Sequence, residues 1–304
     1  MKRVYWESER DGGKYIIELV SKKRGTASQY IFKTLDGNGV TGEAQIVKPP
    51  NYDGAITYGV TRSSRDIRLE GTIISYGSRD KWVGAEIIEN RDYLAKCFDP
   101  KYYGTLYYYT YPEDIGRKIR CRPTALPVCE DDFGNITEFK IGFISDESYW
   151  VSVNPIQAAM GFKQKWFRFP HGFYKDPTGI AFTRAILNNP TLYNIRPVIM
   201  LFGHERAIEI HNKTTGAFLI FKFPLDANER ITIDTKNVRA YIEDLDEKTG
   251  GWIFRENILH RMTLNSDIKN FILVPGKNII TLEKHLPEAD VVLILTGDIP
   301  VMGV

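Results

Sequence analysis

The residues able to do chemistry are few and scattered. The five histidines are His171, His204, His211, His260 and His285. None sits in an HExxH, and no two stand four apart on a helix, the spacing that turns two imidazoles toward one metal ion. His204 falls in a turn and His211 alternates outward from Ile210, so both read as surface residues. Cys97, Cys121 and Cys129 form no CxxC and are odd in number, which argues against a disulfide framework and for folding in a reducing cytosol. No GxSxG and no P-loop occur. A glycan-cleaving site on a β-sandwich needs only two carboxylates, placed by the fold and invisible to spacing. Glu209, Glu243 and Asp244 lie near strands, and nothing in the sequence chooses among them.

Three motif-like stretches resolve into turns. Gly37, Gly39 and Gly42 spell GxGxxG, but 43–48 alternates like a strand and meets Pro49-Pro50. A dinucleotide site needs a helix there, so DGNG is expected to be a hairpin turn. Glu130, Asp131 and Asp132 are consecutive, which on a strand sends them to alternate sides, and they read as a solvated turn. The run 244–251 resembles a calcium loop only until Lys248, which occupies the third ligand position. Three aromatics, Trp166, Tyr174 and Trp252, are expected in loops. There they can stack on sugar rings, or they can fill cores and protein contacts. No catalytic residue, cofactor or metal ligand is assigned.

The elements that would carry these residues are mostly strands. Short apolar runs at 198–202, 207–210, 217–223 and 230–234 are separated by Gly/Asn/Asp clusters, the pattern of an antiparallel meander. Ile208 and Ile210 share one face, as do Ile231 and Ile233. Residues 218–223 are apolar on both faces and are expected to be covered on both. Further strands are expected over 15–20, 29–35, 43–48, 56–61, 66–75, 104–110, 117–122 and 139–145. Beyond the meander they are expected over 238–243, 279–283 and 289–296. One amphipathic helix stands out over 79–98, with Val83, Ile87, Leu94 and Phe98 at helical spacing and Asp99-Pro100 to end it. Inside a β chain it is expected to lie across a sheet.

The 304 residues suggest two domains, with the boundary near 150: 1–150 and 151–304. The fold class is mainly β with one helix. Seventeen tyrosines and sixteen phenylalanines favour it, and seven or more short strands past 150 favour a sandwich. A net charge of +2 gives no electrostatic case for nucleic acid. The charged start, MKRVYWESERDGG, has no apolar stretch of a signal peptide, and no run is long enough for a membrane span.

The order of features resembles the distal tail protein (Dit) family of long-tailed bacteriophages. RDIRLEGTI (65–73), LAKCFDP (94–100), GTLYYY and RKIRCR carry the first half. NPTLYNIRPVIMLFG (189–203), IEIHNKTTG (208–216), ITIDT (231–235), LVPGKNIITL (273–282) and MGV (302–304) carry the second. The resemblance implies an N-terminal split-barrel-like domain that assembles as a hexameric ring, and a C-terminal galectin-like sandwich. It implies a non-enzymatic adaptor whose partners are the tail tube protein, the tape-measure protein, the tail-associated hub protein and receptor-binding proteins. The aromatic, Pro-rich stretch 162–190 reads as an arm for a phage-specific partner. Two other functions stay open: binding of cell-wall glycan and cleavage of it.

Overall fold

The computed structural model describes residues 2–10, 15–21, 29–37, 42–48, 50, 54–76, 83–111, 114–130, 135–162, 183–203, 208–226, 228–263, 266–284 and 291–301. The chain divides into two compact units, 1–153 with 301–304, and 154–300. It is a mainly β protein. No described helix is long and apolar enough to cross a membrane.

The first unit contains β1 (Arg3–Ser8), β2 (Ile16–Val20), β3 (Tyr30–Gly37), β4 (Gly42–Val47), β5 (Ile56–Arg62) and β6 (Arg65–Ile74). After α1 (Val83–Cys97) come β7 (Gly104–Tyr109), β8 (Arg117–Pro123), β9 (Val128–Cys129), β10 (Ile136–Ser145) and β11 (Trp150–Ser152). The order β8-β7-β1-β2-β3-β6-β10 closes on itself through β8–β10. Two seams are thin: β8 meets β10 at only two residue pairs, and β2 meets β3, in parallel, at one. The sheet therefore wraps its core as a barrel with two weak joints.

Period-two alternation fills that barrel. Ile67, Leu69 and Ile73 on β6 are fully buried, as expected of one face of a strand. Gly71 shares the face because a Cβ there would lie 2.4 Å from the Phe139 ring. Helix α1 lies against the barrel. Its buried positions include Ile87, Leu94 and Cys97, a helical stripe. Trp6 Nε1 donates to the Cys97 carbonyl at 2.9 Å, and Tyr30 Oη donates to the Asn90 carbonyl at 3.1 Å. Phe98, one residue past the helix, packs against Trp6 and Phe143 with ring centroids 5.5 and 5.7 Å away. The described helix starts at Val83, and the expected start at 79 lies outside the described residues. Ile88, one position round from Ile87, is exposed.

The DGNG expectation fails. β3 does not turn back onto β4. It pairs with β6, while β4 pairs with β5. Gly37 faces Ile67 and, five positions further along both strands, Gly42 faces Arg62. The two ladders are thus offset by the same number of positions on both chains, and β4–β5 forms a two-stranded ribbon of its own. Asn38 to Thr41 lie outside the described residues. The chain reverses between Val47 and Ile56 instead, a stretch whose sequence holds Pro49-Pro50. Pro cannot donate to a ladder, which suits the end of the pairing.

The second unit holds β12 (Ile156–Phe162), β13 (Arg184–Asn189), β14 (Val198–Gly203), β15 (Ile208–Asn212), β16 (Phe218–Phe221), β17 (Glu229–Asp234), β18 (Arg239–Leu245), β19 (Trp252–Asn257), β20 (Gly276–Lys284) and β21 (Val291–Gly297). Two sheets form, in the orders β12-β21-β14-β17-β18-β19 and β13-β20-β15-β16. One core joins them, with Leu201 and Ile231 from the first sheet and Ile210 and Leu219 from the second. This is a β-sandwich. β22 (Pro300–Val301) then returns to the first unit, beside β11.

The expected meander does not exist as one sheet. β14 and β17 pair with each other in the six-stranded sheet, while β15 and β16 form a hairpin in the four-stranded one. Alternation tells which face of a strand is buried, not which strand lies beside it. β16 is also not covered on both sides: Leu219 and Phe221 are buried, Phe218 and Ile220 half-buried. Its outer edge is instead capped by the segment after β19. Thr263 N donates to the Ile220 carbonyl at 3.4 Å, Asp267 N to the Phe218 carbonyl at 3.0 Å, and Ile220 N to Ser266 Oγ at 2.9 Å. Such cover blunts an edge that would otherwise pair with another chain.

Two local features can be tested directly. Val238 has φ 52°, the left-handed region, in the turn between β17 and β18. A β-branched residue there is strained by about 1–2 kcal/mol. Asp234 already builds the turn, its Oδ1 accepting from Lys236 N at 2.9 Å and Asn237 N at 3.0 Å. Val238→Asn, which tolerates this conformation, is expected to stabilise the protein by about 1 kcal/mol in urea unfolding. None of the three cysteines is in a disulfide. Burial pushes Cys97 up to about 11 and raises Cys121 further, while Cys129 is half-buried. A disulfide reagent at pH ~8 is expected to titrate Cys129 in the native protein, and Cys97 and Cys121 only after unfolding.

Candidate functional site

On β17 and β18, Ile231, Ile233, Ala240 and Ile242 are buried in the core. By alternation Arg230, Thr232, Arg239, Tyr241 and Glu243 therefore share the outer face of the six-stranded sheet. β19 adds Trp252 and Phe254 alongside. The result is an open concavity of about 670 Å³ lined by Arg239, Tyr241, Glu243, Trp252, Phe254 and Asn257.

Arg230 organises this surface. Its Nε donates to Glu243 Oε2 at 2.6 Å, and its guanidinium lies 4.4 Å from the Trp252 ring centroid, a cation–π contact. Thr232 Oγ1 donates to the same Glu243 oxygen at 2.6 Å. Phe202 meets Trp252 edge-on at 5.6 Å, and Tyr241 tilts against Phe254 at 6.0 Å. Burial pushes the Glu243 carboxyl up, but the hydrogen bonds from Arg230 and Thr232 outweigh it and leave the group below the usual carboxylate range. Glu243 thus anchors Arg230 through a charge-assisted hydrogen bond. Glu9, Asp114, Glu130, Asp246 and Glu283 are likewise held below the usual carboxylate range, chiefly by hydrogen bonds to the charged form. The concavity is equipped to bind, through flat aromatic rings edged by charged and amide groups.

Trp252 begins a strand rather than sitting in a loop as expected, and it is packed between Arg230 and Phe202. Trp166 and Tyr174 lie outside the described residues, so Trp252 is the only member of that trio whose surroundings are described. The three candidate carboxylates do not converge. Glu243 and Asp244 are neighbours on β18 and alternate sides, with Asp244 accepting from Arg255 Nη1 at 3.3 Å. Glu209 belongs to the other sheet. There it stands opposite Glu283, a residue that sequence reasoning passed over. His211 joins them: Nε2 lies 3.2 Å from Glu209 Oε2 and 3.7 Å from Glu283 Oε2. Alternation on 208–212 and 279–283 was readable, but the pairing of two strands so distant in the chain was not. The calcium-like run is a local turn, in which Asp246 Oδ1 accepts from Lys248 N at 3.0 Å and Oδ2 from Thr249 Oγ1 at 2.6 Å. Glu130 is paired with Lys140, and Asp131 and Asp132 lie outside the described residues, as does His204.

The fold of this chain, a thinly seamed barrel followed by a two-sheet sandwich, is similar to that of solved phage hub and baseplate proteins. The chain is similar over 97% of its length to 98% of the SPP1 Dit protein, at a TM-score of 0.60 and 10% identity. That structure is described as a paradigm of hub adsorption apparatus in phages infecting Gram-positive hosts. It is likewise similar to a chain of the phage p2 baseplate in its activated, Sr-bound conformation, at a TM-score of 0.51 and 12% identity, over 97% and 98% of the two chains. No family model and no curated protein matches the sequence.

Proposed function

We propose that this chain is a structural, non-enzymatic component of a phage tail tip: a hub whose six copies form a ring between the tail tube and the adhesion apparatus. Its partners in that role are further copies of itself, the tail tube protein, the tape-measure protein, the tail-associated hub protein and receptor-binding proteins. It would be made in the host cytoplasm and end in the virion. The 1–150 region would form the ring and the galectin-like 151–304 region would hold adhesion parts, while the 162–190 stretch, proposed for a phage-specific partner, lies mostly outside the described residues.

The observation that carries this reading is the ribbon β4–β5. Among the described residues it pairs with nothing but itself. Every residue of β4 is exposed, as are Ile56 and Tyr58 on β5. Isolated two-stranded hairpins are at best marginal in water, and the ladder from Gly42 to Val47 extends it about 20 Å. Ile46, Val47, Ile56 and Tyr58 lie open on its faces. A monomer gains nothing from this element, whereas a ring of sister copies covers it. Electron microscopy of the purified protein tests the reading: six-fold rings are expected, and a monomer at all concentrations that fails to join tails would overturn it.

A second reading rests on the concavity at Trp252, whose rings and polar rim suit a glycan. Binding of host cell-wall polysaccharide, lost in Trp252→Ala, would support it. No binding by the intact protein would remove it.

A further inference from the structure

We propose that Glu209, His211 and Glu283 form a seat for a divalent cation of the zinc class on the outer face of the four-stranded sheet. The ladder sets it up. β15 and β20 pair so that Glu209 stands directly opposite Glu283 and His211 opposite Thr281. Two carboxylates facing each other across a ladder repel. Nothing in the fold forces acids at both positions, since this face is not the core.

The three side chains converge. Nε2 of His211 is 3.2 Å from Glu209 Oε2 and 3.7 Å from Glu283 Oε2, and the three ligand atoms all lie within 4.8 Å of one another. A tetrahedral ion with bonds of about 2.0–2.1 Å separates its ligands by roughly 3.3 Å. The two spacings from His211 bracket that value and the carboxylate oxygens lie within 4.8 Å of each other, so an ion enters by side-chain movement alone. One imidazole nitrogen with two carboxylate oxygens suits zinc and its borderline neighbours rather than calcium, which takes oxygen ligands alone.

Surrounding residues hold the ligands as an outer shell would. Phe218 stacks on the His211 ring, centroids 5.8 Å apart and planes 30° from parallel. Lys213 Nζ donates to Glu283 Oε1 at 2.7 Å, which occupies that oxygen and leaves Oε2 turned toward His211. Thr281 Oγ1, opposite His211, is screened from solvent and has no hydrogen-bond partner. The His211 and Glu209 side chains are each 22% exposed and Glu283 is 50% exposed. The seat is thus half-sheltered, with an open side for water or a further ligand.

The seat does not depend on the tail role. Its test is titration of the full-length protein, bearing no histidine tag, with Zn2+ by calorimetry and with Co2+ by visible absorption. One zinc per chain is expected, with the absorption of low-coordinate Co2+ and a rise in melting temperature on adding zinc. His211→Ala and Glu209→Gln should each weaken zinc at least about tenfold, while His260→Gln should not. If His211→Ala melts early without metal, Glu209→Gln, which preserves shape, carries the comparison. No zinc bound, equal affinity in wild type and Glu209→Gln, or binding lost in His260→Gln would overturn the assignment.

Discussion

Ile56→Asp combined with Tyr58→Asp is expected to leave the protein folded and convert it to a monomer. Val47 pairs with Ile56, so these two share one face of the ribbon, and Tyr58 stands beside them at the bulge where the register shifts. All three are exposed, Tyr58 by 68%, and none belongs to either core. Changing them should therefore move the melting temperature of the isolated chain very little, since surface changes usually stay within about 0.5 kcal/mol. In an assembly they become buried. Each side chain of this size contributes about 1.5–3 kcal/mol when covered, so losing two weakens each contact by roughly 10²- to 10⁴-fold. Buried charge adds to that loss. Light scattering after size exclusion reads the result directly. A double variant that keeps the wild-type assembly would show that the ribbon is not where copies meet.

Asn212→Ala is expected to cost the sandwich about 2–4 kcal/mol of stability. Asn212 has no exposed surface and satisfies both ends of its amide. Nδ2 donates to the Ile272 carbonyl at 2.7 Å, and Oδ1 accepts from Thr214 N at 3.0 Å and Thr215 N at 3.3 Å. Alanine leaves buried backbone groups without partners, each costing about 1–3 kcal/mol before relaxation. Two more buried asparagines act in the same way nearby. Asn189 Nδ2 donates to the Tyr193 and Leu273 carbonyls at 2.7 and 3.0 Å. Asn278 Nδ2 donates to the Val274 carbonyl at 2.7 Å and its Oδ1 accepts from Val274 N at 2.9 Å. Calorimetry should show the transition of the sandwich falling by roughly 5–15 °C in Asn212→Ala. A loss below about 0.5 kcal/mol, the range of ordinary surface changes, would mean that water replaces the amide.

These asparagines explain why some of the fold was legible in sequence. NPTLYN, HNKTTG and PGKN carried the resemblance, and each holds one of the three clamps. What looked like ordinary turns are loops pinned by a buried amide, a constraint on residue type set by the Asn189, Asn212 and Asn278 hydrogen bonds. Alternation likewise placed Ile67, Ile208 and Ile231 inward, and the helical stripe of α1 was visible. Pairing was not. Whether β15 lies beside β14 or beside β20 depends on contacts between distant segments, and local pattern is silent on those. The same blindness hid the meeting of Glu283 with His211, and it misread DGNG, since β3 pairs with β6 and not with β4. The concavity at Trp252 escaped for a related reason: Arg230, Tyr241 and Trp252 come together only through the order β17-β18-β19.

The return of Pro300–Val301 to the sheet beside Trp150–Ser152 has a consequence for biosynthesis. As the polypeptide leaves the ribosome, the N-terminal sheet must wait until the whole sandwich has been translated before its outermost strand arrives. Until then β11 presents unpaired backbone to the crowded cell, and any premature association would draw in unfinished subunits. Synthesis of the sandwich thus acts as a timer, giving the N-terminal sheet its last strand only in chains that have been read through both modules.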